Sequence, residues 1–236
     1  MNNQNLIVGL LAVAVFGAIG YRGIDAIKNN NSYITTNGIS ERNVEADRAT
    51  WTITLNTSAN DVKEASSKIK EDIATTLKFL NAAGITSDEI YDTDFEINDK
   101  HRWGDHSKDD ISQRYYVKVS IVIRTGQVDT VKKLRPKLDE LISKGLQITS
   151  DVCYFYSQLS KLRIEMINEA TKDSESRANS IAKILGVRIK GLKHLSTGKF
   201  SISRQDSSST ESNDYYEERS PNKKIRVVVN GTFNIG

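Results

Sequence analysis

This chain of 236 residues is poor in cysteine, in proline and in net charge, and each scarcity excludes something. Cys153 is the single cysteine, so no internal disulfide can form in any compartment. The two prolines exclude long proline-rich linkers. The 33 basic and 30 acidic side chains leave a formal net charge of +3, which argues against nucleic acid as a partner.

The sequence also lacks the short motifs that mark common active sites. There is no G-x-S-x-G elbow to expose a nucleophilic serine and no glycine-rich loop to cradle a nucleotide phosphate. We therefore predict a non-enzymatic protein with no cofactor, no catalytic residues and no small-molecule substrate that can be identified.

Charge is absent from one segment near the N-terminus, Leu6 to Tyr21, which is almost wholly apolar. The run is close to the lower limit of about 17 residues for a membrane-spanning helix. We assign residues 1–32 to a membrane anchor or signal segment with a polar tether, and residues 33–236 to an α+β domain. Cleavage after the small residues 18–20 is one interpretation, but the leader MNNQN lacks the expected Lys or Arg.

The orientation of such an anchor is ambiguous from the charges beside it. Arg22 and Lys28 follow the run, and a strict positive-inside count would keep the C-terminal side in the cytoplasm. We favour an inner-membrane anchor with the domain in the periplasm, or a periplasmic protein if the segment is cleaved.

Three amphipathic helices are predicted from apolar residues spaced by three and four. They cover about 61–83, 127–143 and 158–185, and Pro136 should kink or divide the second. Asp61 suits the N-cap of the first helix. The residues placed inward are Val62, Ala65, Ile69, Ile73, Leu77 and Leu80; Val128, Val131, Leu134, Leu138 and Leu141; and Leu159, Leu162, Met166, Ala170, Ala178, Ile181 and Leu185.

The same signal ends all three helices: a glycine followed by an apolar residue. The pairs are Gly84-Ile85, Gly145-Leu146 and Gly186-Val187. Glycine adopts the left-handed conformation without steric cost, and the next side chain can fold back on the last turn. We therefore expect three sharp helix ends, each passing into an extended segment.

Four segments alternate strictly between apolar and polar residues, which predicts strands with one buried face. Their buried residues are Trp51, Ile53 and Leu55; Tyr91, Thr93, Phe95 and Ile97; Tyr115, Val117, Val119, Ile121 and Ile123; and Ile225, Val227, Val229 and Phe233. Shorter strands are predicted at 33–40, 148–156 and 189–202. The resulting order β-β-α-β-β-α-β-α-β-β predicts an α+β fold of antiparallel sheets with three helices packed on one side.

Two long loops join consecutive strands at 99–110 and 205–222, and the first contains the strongest candidate for chemistry. His101, Asp105, His106, Asp109 and Asp110 are possible ligands of a divalent ion, but their spacing matches no compact motif. A solvated hairpin tip is the simpler interpretation. The alternative function is a metal-dependent hydrolase or metal-binding envelope protein that uses residues 99–110.

Two further side chains have ordinary structural interpretations. Cys153 lies in the predicted strand 148–156, where a small apolar filler is expected, since no basic neighbour would activate the thiol. His194 is expected to be a partly exposed strand histidine.

The order and spacing of these segments resemble the SIMPL-domain family, which includes bacterial periplasmic immunogenic proteins. The resemblance covers about 33–235 and consists of packing and turn positions. They are the opening strand ITTNGI at 34–39, the strand 49–57, the helix end AAGI at 82–85, the strand entry DEI at 88–90, the aromatic start RYYV at 114–117, the long helix 163–186 with Ala170, Ala178 and Ala182, and the closing strand 225–235.

The resemblance implies an exported or anchored envelope protein of α+β fold with no catalytic residues to transfer. Members of the family can assemble into large ring-like or channel-like homo-oligomers, so a homo-oligomer is expected here as well. We expect the long third helix and the sheet edges to be the contact surfaces, because exposed strand edges need covering.

Overall fold

The computed structural model describes residues 32–100, 113–206 and 218–236, and the apolar run Leu6 to Tyr21 lies outside them. The strands are β1 (Tyr33–Glu45), β2 (Arg48–Ala59), β3 (Ile90–Asp99), β4 (Tyr115–Thr125), β5 (Gln147–Phe155), β6 (Ile189–Arg204) and β7 (Asn222–Ile235). The helices are α1 (Val62–Ala82), α2 (Val128–Leu134), α3 (Asp139–Ile142) and α4 (Leu159–Leu185). In these three ranges we find no helix with the length and apolarity to cross a bilayer.

The predicted order of strands and helices is confirmed, as is the α+β class. The second predicted helix is divided as expected at Pro136, which lies in a 3-10 turn, Arg135–Leu138, between α2 and α3. The described residues form two compact units. The α4 unit takes residues 32–42, 160–201 and 225–236, and the α1 unit takes the described residues among 43–159 and 202–224.

The α1 unit contains a four-stranded sheet in the order β3-β4-β2-β5. Every neighbouring pair is antiparallel, and in the central pair Trp51 lies opposite Ile123 and Leu55 opposite Val119. The inward positions predicted for β2 and β4 are buried, except that Tyr115 is only half-buried. Large aliphatic side chains from this sheet, α1, α2 and α3 form one core.

Helix α1 packs on the two central strands, β2 and β4. Asp61 caps it as predicted, because its carboxylate accepts hydrogen bonds from the backbone N–H groups of Lys63 and Glu64. The predicted inward face is partly wrong, since Val62 is exposed and Asp72 and Thr76 are buried instead. Val62 is the first residue of α1, directly after the Asp61 cap, and so lies at the end of the helix.

The α4 unit contains a three-stranded sheet in the order β1-β7-β6. The Thr35 hydroxyl is hydrogen-bonded to that of Thr232, and Glu41 forms an ion pair with Arg226. Residue numbers therefore fall along β7 as they rise along β1, so these two strands are antiparallel. Helix α4 buries a stripe of mostly small side chains: Leu162, Met166, Ala170, Ser174, Ala178 and Ala182.

The contact between α4 and this sheet is made partly by backbone. A Cβ added at Gly38 of β1 would overlap the carbonyl oxygen of Ala170 and lie 2.5 Å from the amide nitrogen of Ser174. A Cβ at Gly231 of β7 would lie 2.5 Å from the Ser174 hydroxyl oxygen. Glycine is required at Gly38 because a Cβ there would push the backbone of the helix away, whereas a Cβ at Gly231 would displace the Ser174 and Phe233 side chains.

A buried polar cluster fixes the helix in this position. The Thr36 hydroxyl donates to the Ser174 carbonyl oxygen at 2.8 Å, and the Ser174 hydroxyl lies 2.9 Å from that of Thr36. Both side chains are buried, and hydrogen bonds satisfy them.

All three glycine helix ends are confirmed. Gly84, Gly145 and Gly186 have φ values of 90°, 91° and 68°. Behind each glycine, the next amide bonds the carbonyl five residues back: Ile85 to Leu80, Leu146 to Leu141, and Val187 to Ala182. This is the Schellman pattern, in which two apolar side chains pack across the helix end.

Candidate interaction surfaces

The predicted metal-ligand loop cannot be described, since His101, Asp105, His106, Asp109 and Asp110 lie outside the described residues. At its base the β3–β4 hairpin is closed by an ion pair. The Nε and Nη2 groups of Arg114 donate to the two carboxylate oxygens of Asp99, at 3.0 and 2.9 Å. Across residues 32–100, 113–206 and 218–236, no group of three or more His, Cys, Asp or Glu side chains could hold a metal ion.

The single thiol is half-buried in β5, on the face opposite the buried Val152 and Tyr154. It is in the predicted strand, but it does not point into the core as a filler residue would. Burial raises the pKa of Cys153, and the negative charges of Asp151 and Glu218 raise it further. A raised pKa keeps the thiol protonated and therefore a poor nucleophile. His194 is exposed in β6.

The first candidate surface is strand β3, an edge of the four-stranded sheet. The prediction that its apolar residues are buried is wrong: Tyr91, Phe95 and Ile97 are 68%, 49% and 44% exposed. Phe95 and Ile97 lie opposite Val119 and Val117, so they extend the apolar face of the sheet to its edge. Alternation shows which side chains share a face, but not whether a helix reaches far enough to cover them.

Tyr91 is displaced from this row by an irregularity in register between Ile90 and Asp92. Its ring lies under the Arg124 guanidinium, 3.8 Å from the ring centroid. An edge strand with apolar side chains and free backbone groups is suited to pairing with another chain. We call this surface the β3 edge; it consists of the side chains of Phe95 and Ile97 and the side of the β3 backbone that faces away from β4.

The second candidate surface is the end of the α4 unit where the helix stops. The strand ends meet there, because Arg188 and Gly236 exchange two backbone hydrogen bonds and the Ile235 amide donates to Ser32. Beneath them a small core joins Ile34, Ala178, Ala182 and Phe233. We call this region the α4–β6 end; its exposed apolar residues are Tyr33, Ile181, Ile184, Leu185 and Leu192.

Two of those residues correct the predicted inward face of α4, because Ile181 and Leu185 are exposed. Their places on the buried stripe are taken by Ser174 and Ala182. Small residues form the contact face because Ala170 and Ser174 lie against Gly38 and Gly231 at distances that leave no room for larger side chains. Larger side chains therefore turn outward, although they are more apolar.

The other end of the α4 unit is tied by ion pairs, and Ile164 is exposed there. Arg42 of β1 reaches Glu165 and Glu169 of α4, and the Ser40 hydroxyl donates to Glu169 at 2.8 Å. The hydrogen bond from Ser40, followed by that from Arg42, lowers the pKa of Glu169. The backbone N–H of Ile39 donates to the Asp173 carboxylate at 2.9 Å, which lowers the pKa of that carboxyl group.

Together these features describe an α+β protein with two exposed apolar surfaces on its described residues. Comparison with known proteins identifies the family. The family model SIMPL, described as a protein of unknown function (DUF541), matches residues 34–233, and the chain therefore belongs to that family.

Other comparisons add little. No curated protein matches the chain. An uncharacterized conserved protein from Listeria innocua, solved by crystallography, is 10% identical, and the match covers 80% of this chain and 92% of that one with a TM-score of 0.17.

Proposed function

We propose that this protein is a non-enzymatic component of the cell envelope, held at the inner membrane by residues 6–21, and that it acts through contacts between copies or with a partner protein. The domain would lie in the periplasm. The exposed β3 edge is the observation that carries the proposal, since an apolar strand edge is costly to leave in water. Membership of a family of unknown function is compatible with this role and assigns no reaction.

Self-association can be tested on the full chain in detergent by light scattering with size-exclusion chromatography. We expect a homo-oligomer, and we expect the double variant Phe95→Lys with Ile97→Lys to shift the population to smaller species. The control is Ile142→Lys, which places a single lysine on an exposed apolar residue of α3 in the same unit. A wild-type monomer at high concentration, or equal effects of both variants, would contradict assembly through the β3 edge.

The location is tested separately by reporters fused to the C-terminus that are active on only one side of the membrane. Activity of the periplasmic reporter supports the proposal, whereas activity of the cytoplasmic reporter would mean that Arg22 and Lys28 set the opposite orientation. Fractionation with the membrane or with the soluble periplasm then distinguishes an anchor from a cleaved signal.

The alternative, a metal-dependent hydrolase or metal-binding protein that uses residues 99–110, stays a prediction. Replacing His101 and His106 by Ala tests it through metal content and thermal stability. Bound metal in the wild type that is lost in the variant would favour the alternative.

A further inference from the structure

We propose that the α4–β6 end docks on an anionic phospholipid surface, with its exposed aliphatic side chains at the headgroup boundary and its lysines and arginines among the lipid phosphates. The inference deepens the proposed function and rests on it only for the presence of a bilayer nearby. It fixes which end of the α4 unit faces the membrane.

The apolar part of this surface is unusually exposed for side chains of its type. Ile184 is 84% exposed and Leu185 is 61% exposed in the last turn of α4, and Leu192 is 53% exposed in the first part of β6. Tyr33 is also exposed at the start of β1, and the Lys193 ammonium lies 4.8 Å from its ring centroid. An aromatic ring and aliphatic side chains next to lysines are typical of membrane-interface segments.

The charge around these residues has one sign. Between Glu175 and Asp206 the sequence contains seven Lys and Arg residues and no Asp or Glu. Four of them belong to the α4–β6 end and are exposed: Lys183, Arg188, Lys190 and Lys193. None of these four forms an ion pair with a carboxylate of the described residues.

The net charge of +3 for the whole chain does not reveal this local excess of positive charge, because the acidic residues lie in other parts of the sequence. The first half of α4 carries Glu165, Glu169 and Asp173, which are engaged with Arg42, Ser40, Arg177 and the Ile39 amide. Residues 161–177 of α4 contain four basic and four acidic side chains and are therefore close to neutral. An anionic surface would attract the acid-free end more strongly than this part of the helix. The basic side chains also outweigh the partial negative charge of the helix C-terminus.

Chain connectivity favours a bilayer over an acidic protein as the occupant. Only residues 22–32 separate the apolar run from β1, and a fully extended segment of that length spans at most about 40 Å. Strand β1 begins at the α4–β6 end, beside the last residues of β7. A bilayer that holds residues 6–21 would therefore be within reach of this end.

The test uses the full chain with Cys153→Ser, so that a new cysteine carries the only fluorescent label. One variant places the label at Ile184, and the control places it at Lys161, which is exposed in the first turn of α4. Vesicles of phosphatidylglycerol or of phosphatidylcholine, each with nitroxide-bearing lipids, report contact by quenching, and flotation reports binding.

We expect strong quenching at position 184 and weak quenching at position 161 in phosphatidylglycerol vesicles, and weaker quenching at position 184 in phosphatidylcholine. Each basic side chain near an anionic surface contributes about fivefold to binding (~1 kcal/mol). Replacing Lys183 and Lys190 by Glu should therefore weaken the contact at position 184 by an order of magnitude or more, whereas the same change at Lys161 and Lys172 should not.

Two results separate this inference from the anchor, and two more test the inference alone. Flotation with both lipids but equal quenching at positions 184 and 161 would overturn the inference and leave the anchor standing. Flotation with phosphatidylglycerol alone, with quenching at position 184, would support the inference and count against the anchor. Equal quenching at position 184 in both lipids would overturn recognition of an anionic surface. Concentration-dependent shielding of position 184 in lipid-free detergent would assign this end to a second copy and overturn the inference.

Discussion

The α1 unit and the α4 unit both place an amphipathic helix on an antiparallel sheet, but they bury different kinds of surface. Under α1 the contact is made by large side chains such as Trp51, Ile53, Leu55 and Ile69. Under α4 the central contact is made by Ala170, Ser174 and the backbone of Gly38. The contact under α1 depends on large side chains that fill the space between the helix and the sheet. The contact under α4 depends on small side chains and glycine, which let the backbones approach closely. Removing side-chain volume should therefore destabilise the α1 unit, whereas adding side-chain volume should destabilise the α4 unit.

The largest effect is expected in the α1 unit when volume is removed. Trp51 is fully buried and its indole N–H donates to the Ser150 hydroxyl at 2.8 Å. Trp51→Ala should lower the free energy of unfolding by about 3–5 kcal/mol, since it leaves a cavity in the core. Urea denaturation measures the loss, and Ile142→Ala, at an exposed residue, is the control with an expected effect below about 0.5 kcal/mol.

In the α4 unit the addition of one methyl group should be damaging. Gly38→Ala should destabilise by about 1–3 kcal/mol, because α4 must move away from β1. Amide exchange should increase in α4, β1 and β7 more than in β2 and β4. The control is Gly126→Ala, where the nearest atoms would lie 3.8 Å from the new Cβ. Equal stability losses at the two glycines would refute the backbone contact as the cause.

Replacement of the glycine that ends the helix should cost the same stability in both units, because the two glycines have the same role. Gly84 and Gly186 have positive φ and open space around a Cβ, so only backbone strain opposes a side chain. Gly84→Ala and Gly186→Ala should each cost about 1–2 kcal/mol, measured by thermal and urea denaturation. A much larger cost at Gly186 would mean that the α4–β6 end carries a packing constraint beyond the helix stop.

The smallest effect is expected at Asp72, a carboxyl group in the buried stripe of α1. Burial raises its pKa, so the folded state favours the protonated form and loses stability as pH rises through that pKa. Asp72→Asn should therefore stabilise the protein at neutral pH. The gain should shrink towards about pH 4, the ordinary pKa of an aspartate, which stability curves over that range would measure. A constant difference at all pH values would contradict a charge effect.

Much of the fold could be predicted from sequence because it depends on local signals. Alternation identified the strands, the glycine-apolar pairs identified the helix ends, and Pro136 identified the break in the second helix. The errors concern which side of an element is covered. Phe95, Ile97, Ile181 and Leu185 are apolar and correctly spaced, yet they are exposed because no periodic pattern encodes the extent of the neighbouring layer.

The candidate surfaces were only partly predictable for the same reason. The sheet edges and the long helix could be proposed as contact surfaces, but the α4–β6 end needed the backbone hydrogen bonds that bring Ser32, Arg188 and Gly236 together. One sequence signal could have identified it: the acid-free stretch between Glu175 and Asp206. The metal-ligand hypothesis for residues 99–110 stays a prediction.

The bond from the Ile39 amide to Asp173 limits how the three-stranded sheet can grow. Strand β1 is an outer strand, and one of its amides is occupied by a carboxylate from the helix that covers the sheet. An incoming strand would have to displace that carboxylate and its partner Arg177 before it could add to β1. Strand addition to this sheet should therefore be less favourable at β1 than at β6, the other outer strand.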